Sequence, residues 1–165
     1  MKIKLSQFQR GWISALIDGE GSLSVGFQKQ KTSSRPAVRC IIAISNTDKE
    51  LLEYAQKIMG GSLYKKTLSK DNRKQVYQLT LWANLIRKLL PLPLITKKRQ
   101  QDILIETLSL LGQKGGSKIV NGKQVAATRP LWKDKRIAEL KAELNRINRR
   151  GREKADPELI VRTNV

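Results

Sequence analysis

The chain has no histidine and a single cysteine, Cys40, among its 165 residues. Those shortages exclude a disulfide framework, a Cys/His zinc site and a histidine general base, together with every nuclease that depends on one. Acids are scarce as well, with 14 Asp and Glu against 33 Lys and Arg, and aromatic residues make up 5%. No apolar run is long enough to span a bilayer, and the opening "MKIKLSQFQR" lacks the apolar centre of a signal peptide. The expected setting is a reducing cytoplasm or an organelle interior.

What remains is a strongly basic chain, with a formal charge of +19 and 39% hydrophobic residues. That content suits one modest core, and the scattered positive charge favours a polyanionic partner, above all nucleic acid. A ribosomal-type binder, a membrane-surface protein and a nuclease all share this balance, so charge alone does not choose among them.

Local patterns divide the chain. Ser6 and Gln9 form a capping box, which predicts a helix from Gln7 to about Asp18. "SLSVGFQKQ" then alternates, with Leu23, Val25 and Phe27 on one side and Ser22, Ser24, Gly26 and Gln28 on the other. "AVRCIIAIS" continues as a strand with Val38, Cys40, Ile42 and Ile44 inward. A second helix is expected from Asn46 or Thr47 to the glycines at 60 and 61. Two more strands, "SLYKKTLS" and "KQVYQLTLW", precede a short helix ended by Pro91 and Pro93 and an amphipathic helix starting near Lys97. The expected divisions are a core over 1–112, a basic loop over 113–130, a basic helix over 131–151 and a tail over 152–165. This order predicts an α+β unit on one four-stranded antiparallel sheet, with helices on one face and the other free.

The helix end "IDGEG" stands out. Asp18 and Glu20 lie near the negative pole of the helix dipole, where anions are disfavoured. On the same helix, Gly11, Ser14, Ala15 and Asp18 fall at i, i+3, i+4 and i+7 and so share a face of small residues. Such a stripe packs against another helix of its own chain or against its own copy across a twofold axis. In the second case the acids of two copies converge, their pKa values rise by mutual repulsion, and hard divalent cations become natural occupants. A cation beside a phosphodiester supports hydrolysis without histidine. Taken alone, the same letters also describe an ordinary turn or cap.

"ISALIDGEG", Ile13 to Gly21, resembles the nine-residue signature of the LAGLIDADG homing endonucleases. Leu16, Ile17, Asp18 and Gly21 match the family name letter for letter, and Glu20 stands at its second Asp. The similarity runs from about residue 6 to residue 112 and thins beyond. "AISNTDKELLEYAQKIMGGSLY" is similar to the segment joining the family's second and third strands, and "LPLITKKRQQDILI" to the segment opening its later helix.

The resemblance implies the αββαββα fold, with a four-stranded antiparallel saddle on DNA and C-terminal helices. One motif copy implies a homodimer, and an intron-encoded enzyme, with an archaeal leaning. The implied activity is cleavage of both strands of a long pseudo-palindromic DNA site, leaving staggered ends. Glu20 and the Gly19 carbonyl are the implied metal ligands, for Mg2+. Lys97, or alternatively Lys98, is the implied phosphate lysine, and Asn46 orders water. Asp18 hydrogen-bonds at the helix end, and Gly11, Ser14, Ala15 and Asp18 form the dimer face. Expected base contacts are Ser22, Ser24, Gln28, Gln30 and Arg39, with Lys65, Gln78 and Thr80 in phase on the same sheet face. Lys29, Lys31, Arg35, Lys70, Arg73 and Lys74 are expected on phosphates or outer bases. The basic face of the last helix is expected either simply to flank its docking stripe or to lie along the DNA backbone beyond the sheet. Two rival readings use the same fold: an intron-RNA splicing maturase, and a DNA-binding regulator without catalysis. The intact Glu20 weighs against the latter.

Overall fold

Ser6 starts the first helix as its capping box requires. Its hydroxyl accepts from the Gln9 amide at 3.1 Å, and its own amide donates to Gln9 Oε1 at 3.0 Å. In this computed structural model, residues 3–29, 36–66, 74–112, 117–120, 123–126 and 129–149 are described. Helix α1 (Gln7–Glu20) runs two residues past the expected end and passes directly into β1 (Gly21–Gln28). The Gly21 amide donates to the Ile17 carbonyl, closing the helix as the strand begins.

β2 (Ala37–Asn46) returns antiparallel to β1, pairing Leu23 with Ile42 and Val25 with Cys40. Helix α2 (Lys49–Met59) follows. Its cap is Asp48, whose carboxylate accepts from the Leu51 amide at 3.1 Å, and not Asn46 or Thr47 as expected. Asn46 finishes the strand instead and folds its side-chain oxygen onto the Asp48 amide at 2.9 Å. Gly60 and Gly61 both take positive φ, 73° and 104°, a conformation that glycine adopts without strain. β3 (Ser62–Lys65) and β4 (Tyr77–Trp82) complete the sheet in the order β1-β2-β4-β3, antiparallel throughout.

Helix α3 (Ala83–Leu89) stops one residue short of the one preceding Pro91, where the proline ring disfavours helical backbone. Helices α4 (Lys98–Leu111) and α5 (Leu131–Arg149) close the fold. Between them lies a correction to the expected loop over 113–130: Ser117–Val120 (β5) and Lys123–Ala126 (β6) form a two-stranded antiparallel ribbon. The segment "SKIVNGKQVA" carries the Asn-Gly turn signal of a hairpin between β-formers.

One side of the sheet carries the core. Leu23, Val25, Cys40, Ile42, Ile44, Leu79 and Leu81 meet Ile13 and Ile17 of α1, Leu52 and Met59 of α2, and Ile86 of α3. Ile103 and Leu104 of α4 complete this layer, and Ile137, Leu140 and Leu144 of α5 dock on it as one stripe. The opposite face carries no helix of the core layer. Among the described residues no helix is long and apolar enough to cross a membrane.

Candidate active site

The last turn of α1 meets the segment between α3 and α4, and two side chains hold that segment in place. Gln101, itself buried, brackets the Leu92 backbone by accepting from its amide at 2.8 Å and donating to its carbonyl at 3.0 Å. Asp18 then takes three consecutive residues further on, Ile95, Thr96 and Lys97. Its carboxylate accepts from the Ile95 amide at 2.7 Å, the Thr96 hydroxyl at 2.9 Å and the Lys97 amide at 3.0 Å. Burial pushes the Asp18 carboxyl up, but these bonds and the Lys97 charge outweigh it and hold the pKa below the ordinary value. Lys97 also donates through Nζ to the Ile17 carbonyl at 3.0 Å and to the Asp18 carbonyl. An ammonium on the last carbonyls of a helix C-terminus offsets its dipole. That offset, rather than a raised pKa, is how the chain tolerates Asp18 there.

Glu20 is different. It is exposed and makes no hydrogen bond or ion pair among the described residues. Asp18 is spent on protein donors, so the end of α1 presents one free carboxylate, Glu20. The Gly19 carbonyl is one of the last four of the helix, which lack an intrahelical donor. These hard oxygens suit a divalent cation, but among the described residues no three acidic, cysteine or histidine side chains cluster. A single chain therefore offers part of a coordination shell.

Beside Glu20 lies a cavity of about 420 Å³ between the start of β1 (Gly21, Ser22, Leu23) and the last turn of α5 (Asn145, Asn148, Arg149), with Lys97 on its wall. Of the two candidate lysines, Lys97 lines this cavity. Lys98, the alternative, is exposed at the start of α4 and does not line the cavity. Asn46 lies in β2 two residues beyond Ile44, the partner of Gly21, so it sits at the same end of the sheet as Glu20. Its oxygen is committed to the Asp48 turn.

The free face of the sheet departs from expectation in part. Ser22, Gln28, Lys29, Arg39 and Lys74 are exposed and Ser24 is half-buried. Lys65 is out of phase: it pairs with Tyr77 and shares parity with Leu63, on the helix side. Tyr64 holds the place expected for it, and its hydroxyl accepts from Gln78 Nε2 at 2.6 Å. Thr80 is only 3% exposed, beneath that pair, with its hydroxyl 3.4 Å from the Tyr64 oxygen. Gln78 also reaches Thr80 at 3.2 Å and accepts from Ser45 at 3.4 Å. Gln78 and Thr80 are therefore bound into the surface, and Tyr64 is what they present. Arg39 lies over the Trp82 ring, 5.3 Å from its centroid. Gln30, Lys31, Arg35, Lys70 and Arg73 lie outside the described residues.

The outward face of α1 is also shifted. Phe8, Gly11, Ala15 and Gly19 are exposed, and Phe8 is 71% accessible. Ser14 is turned inward at 4% exposure and donates to the Arg10 carbonyl at 2.7 Å, so it does not belong to the free stripe. A rotation of 100° from Ala15 puts it in the arc of Ile13 and Ile17. Trp12, on the flank, meets Tyr54 of α2 edge to face, with ring centroids 5.0 Å apart.

The model of the LAGLIDADG endonuclease family matches residues 13–105, which is more than half of the chain and takes in the second half of α1, the four-stranded sheet and the Lys97 segment. The chain belongs to the LAGLIDADG endonuclease family. It is accordingly a site-specific, metal-dependent DNA endonuclease. The archaeal intron-encoded homing endonuclease I-Vdi141I, solved with DNA, is 25% identical, with 85% of this chain and 84% of that one covered and a TM-score of 0.62. The homing endonuclease I-CvuI, solved with the I-CreI target and magnesium, is 17% identical over 86% of this chain and 82% of its own, also at 0.62. I-SmaMI, solved on uncleaved DNA with calcium, is 21% identical over 87% of this chain but only 46% of its own, at 0.61. Comparison with curated proteins gives no match.

Sequence reasoning did not single out Gln101, Tyr64, Trp82, Asn145 or Asn148, and it placed Arg149 only on the basic face of the last helix. Trp82 and Tyr64 alternate in phase with the polar face and were legible from that. The roles of Gln101 and Arg149 depend on contacts across 9 and more than 100 residues, which no local pattern carries.

Proposed function

We propose that the endonuclease acts as a homodimer joined through α1, cutting both strands of a long pseudo-palindromic duplex with the two Glu20 carboxylates at its centre and Mg2+ as the metal. The observation that carries this reading is the division of labour between two acids one residue apart. The Asp18 carboxylate is consumed by three donors of the chain's own fold, whereas Glu20 is left free at the end of an uncovered helix face.

Two glycines support the pairing. Glycine within a helix costs about 1 kcal/mol relative to alanine. A Cβ at Gly11 or Gly19 meets nothing within 4 Å, so the single chain has no use for their smallness. A second helix at close approach does. Pairing covers Phe8 and Ala15 at the same time. The lengths agree: the chain matches most of I-Vdi141I and I-CvuI but less than half of I-SmaMI, a chain about twice as long.

In the dimer, Glu20 and the Gly19 carbonyl of each copy hold the cation, which when bound supplies Lewis acidity toward the phosphodiester. Lys97 places positive charge beside that phosphate while anchoring the end of α1. Asn46 offers its amide nitrogen, which has no partner among the described residues, to solvent near the site. Ser22, Ser24, Gln28, Gln30 and Arg39 contact bases in the major groove, and Lys29, Lys31, Arg35, Lys70, Arg73 and Lys74 contact phosphates or outer bases. If the dimer neutralises roughly ten phosphates, the log–log salt slope of binding is about −9.

The test is cleavage of a duplex selected from a randomised library, with and without Mg2+, by wild type and Glu20→Gln. Cleavage by wild type alone, with duplex binding retained in Glu20→Gln, is expected. Cleavage by Glu20→Gln at the wild-type rate removes the assignment of Glu20. Tight binding of an intron RNA that survives Glu20→Gln, without DNA cleavage by wild type, favours a maturase instead.

A further inference from the structure

We infer that the last turn of α5 completes the active site, with Arg149 and Asn145 forming a subsite for the phosphodiester being cut; this rests on the nuclease reading above. Helix α5 is held in one position along its length. Arg136 pairs with Glu106 at 2.7 Å and Glu143 with Arg99 at 2.7 Å, both joining α5 to α4. At its end, Asn148 donates to the Leu23 carbonyl on the edge strand β1 at 3.1 Å. That bond sets the final turn against the residues following Glu20 and forms the cavity shared by Ser22, Lys97, Asn145 and Arg149.

The lining of this cavity suits an anion. Among the described residues it contains two cations and no carboxylate. Lys97 has three donors, and two are spent on the Ile17 and Asp18 carbonyls, so it has one left for a ligand. A phosphodiester gathering charge on its non-bridging oxygens needs more than one donor. Arg149 supplies a planar fork of five N–H groups, and it makes no ion pair among the described residues, unlike Arg99 and Arg136. Asn145 adds a neutral donor across the same opening. The basic last helix therefore does more than follow the DNA backbone outside the sheet: its end points into the reaction centre.

The experiment measures single-turnover cleavage of the selected duplex at saturating protein and Mg2+, for wild type, Arg149→Ala, Arg149→Lys and Asn145→Asp, with Lys57→Ala on α2 as control. Metal-free binding is measured in parallel as a function of salt, and folding is checked by circular dichroism. In Arg149→Ala the rate constant falls tenfold or more, Arg149→Lys recovers part of it, and Asn145→Asp falls at least as far through repulsion. Two lost phosphate contacts per dimer, at about 0.9 each, flatten the salt slope by about 1.8. A wild-type rate constant in folded Arg149→Ala and Asn145→Asp overturns the subsite, even if the salt slope changes, because Arg149 is then an outer phosphate contact. Absence of cleavage by wild type overturns the nuclease reading itself and is distinguishable from that result.

Discussion

Lys97 grips the end of α1 around Asp18: its amide donates to the Asp18 carboxylate at 3.0 Å, and its ammonium donates to the Asp18 main-chain carbonyl. The acid and the lysine lie 79 positions apart in sequence. Through them, the helix that bears Glu20 and the segment that opens α4 become one rigid unit. The lysine stabilises the fold and lines the site at once, so its removal affects both.

Asp18→Asn tests that grip. An amide cannot replace both oxygens, and its NH2 group faces either the Ile95 amide or the Lys97 amide. A loss of about 1–3 kcal/mol is expected at neutral pH, measured by denaturant unfolding. The Asp18 carboxyl has a folded pKa below its ordinary value, so its contribution is fully present above about pH 4 and is lost as pH falls through the folded pKa. The gap between wild type and Asp18→Asn should therefore narrow in acid. A gap constant from pH 7 to pH 2 removes Asp18 as the anchor.

At Gly21, size rather than φ decides. An added Cβ lies 2.5 Å from the Ile17 carbonyl oxygen and 2.9 Å from its Cα. Gly21→Ala must pry β1 from α1, at about 1–3 kcal/mol, and displace Glu20. Thermal unfolding and the cleavage rate should fall together; a variant with wild-type values of both contradicts the tight junction.

Gly11→Leu separates the needs of the chain from those of the pair. The position opens to empty space, and leucine is the better helix former. Secondary structure is expected to persist while sedimentation shifts from dimer to monomer and double-strand cleavage disappears. A dimer with undiminished cleavage means that α1 is not the contact.

Much of this arrangement was legible in the sequence, and the failures share a cause. The capping box, the alternation in β1 and β2 and the closing glycines of α2 are local signals, and each appears where it was expected. Asp18 as a hydrogen-bonding acid was also readable, and its carboxylate accepts from Ile95, Thr96 and Lys97. Lys65, Ser14 and Thr80 went astray because one residue of phase, or one overlying tyrosine, decides which way a side chain faces, and strand register depends on tertiary pairing. The β5–β6 ribbon was hidden by a composition rich in glycine and lysine. Arg149 could be placed only once Asn148 had found the Leu23 carbonyl.

Cys40 gives a convenient silence. It is fully buried, and burial pushes its thiol up to about 12, so the thiolate that reacts with alkylating agents is scarce. Native protein should resist iodoacetamide at pH 8 and react promptly once unfolded; fast native labelling contradicts the packing of β2.

That silence permits the most direct test of the paired helices. A cysteine introduced by Ala15→Cys is the one reactive thiol, and mild oxidation at low protein concentration reports what lies against α1. Rapid formation of a covalent dimer is expected, with Lys57→Cys, exposed on α2, remaining uncrosslinked. An Ala15→Cys protein that stays monomeric, or crosslinks no faster than Lys57→Cys, contradicts the union of two chains through α1.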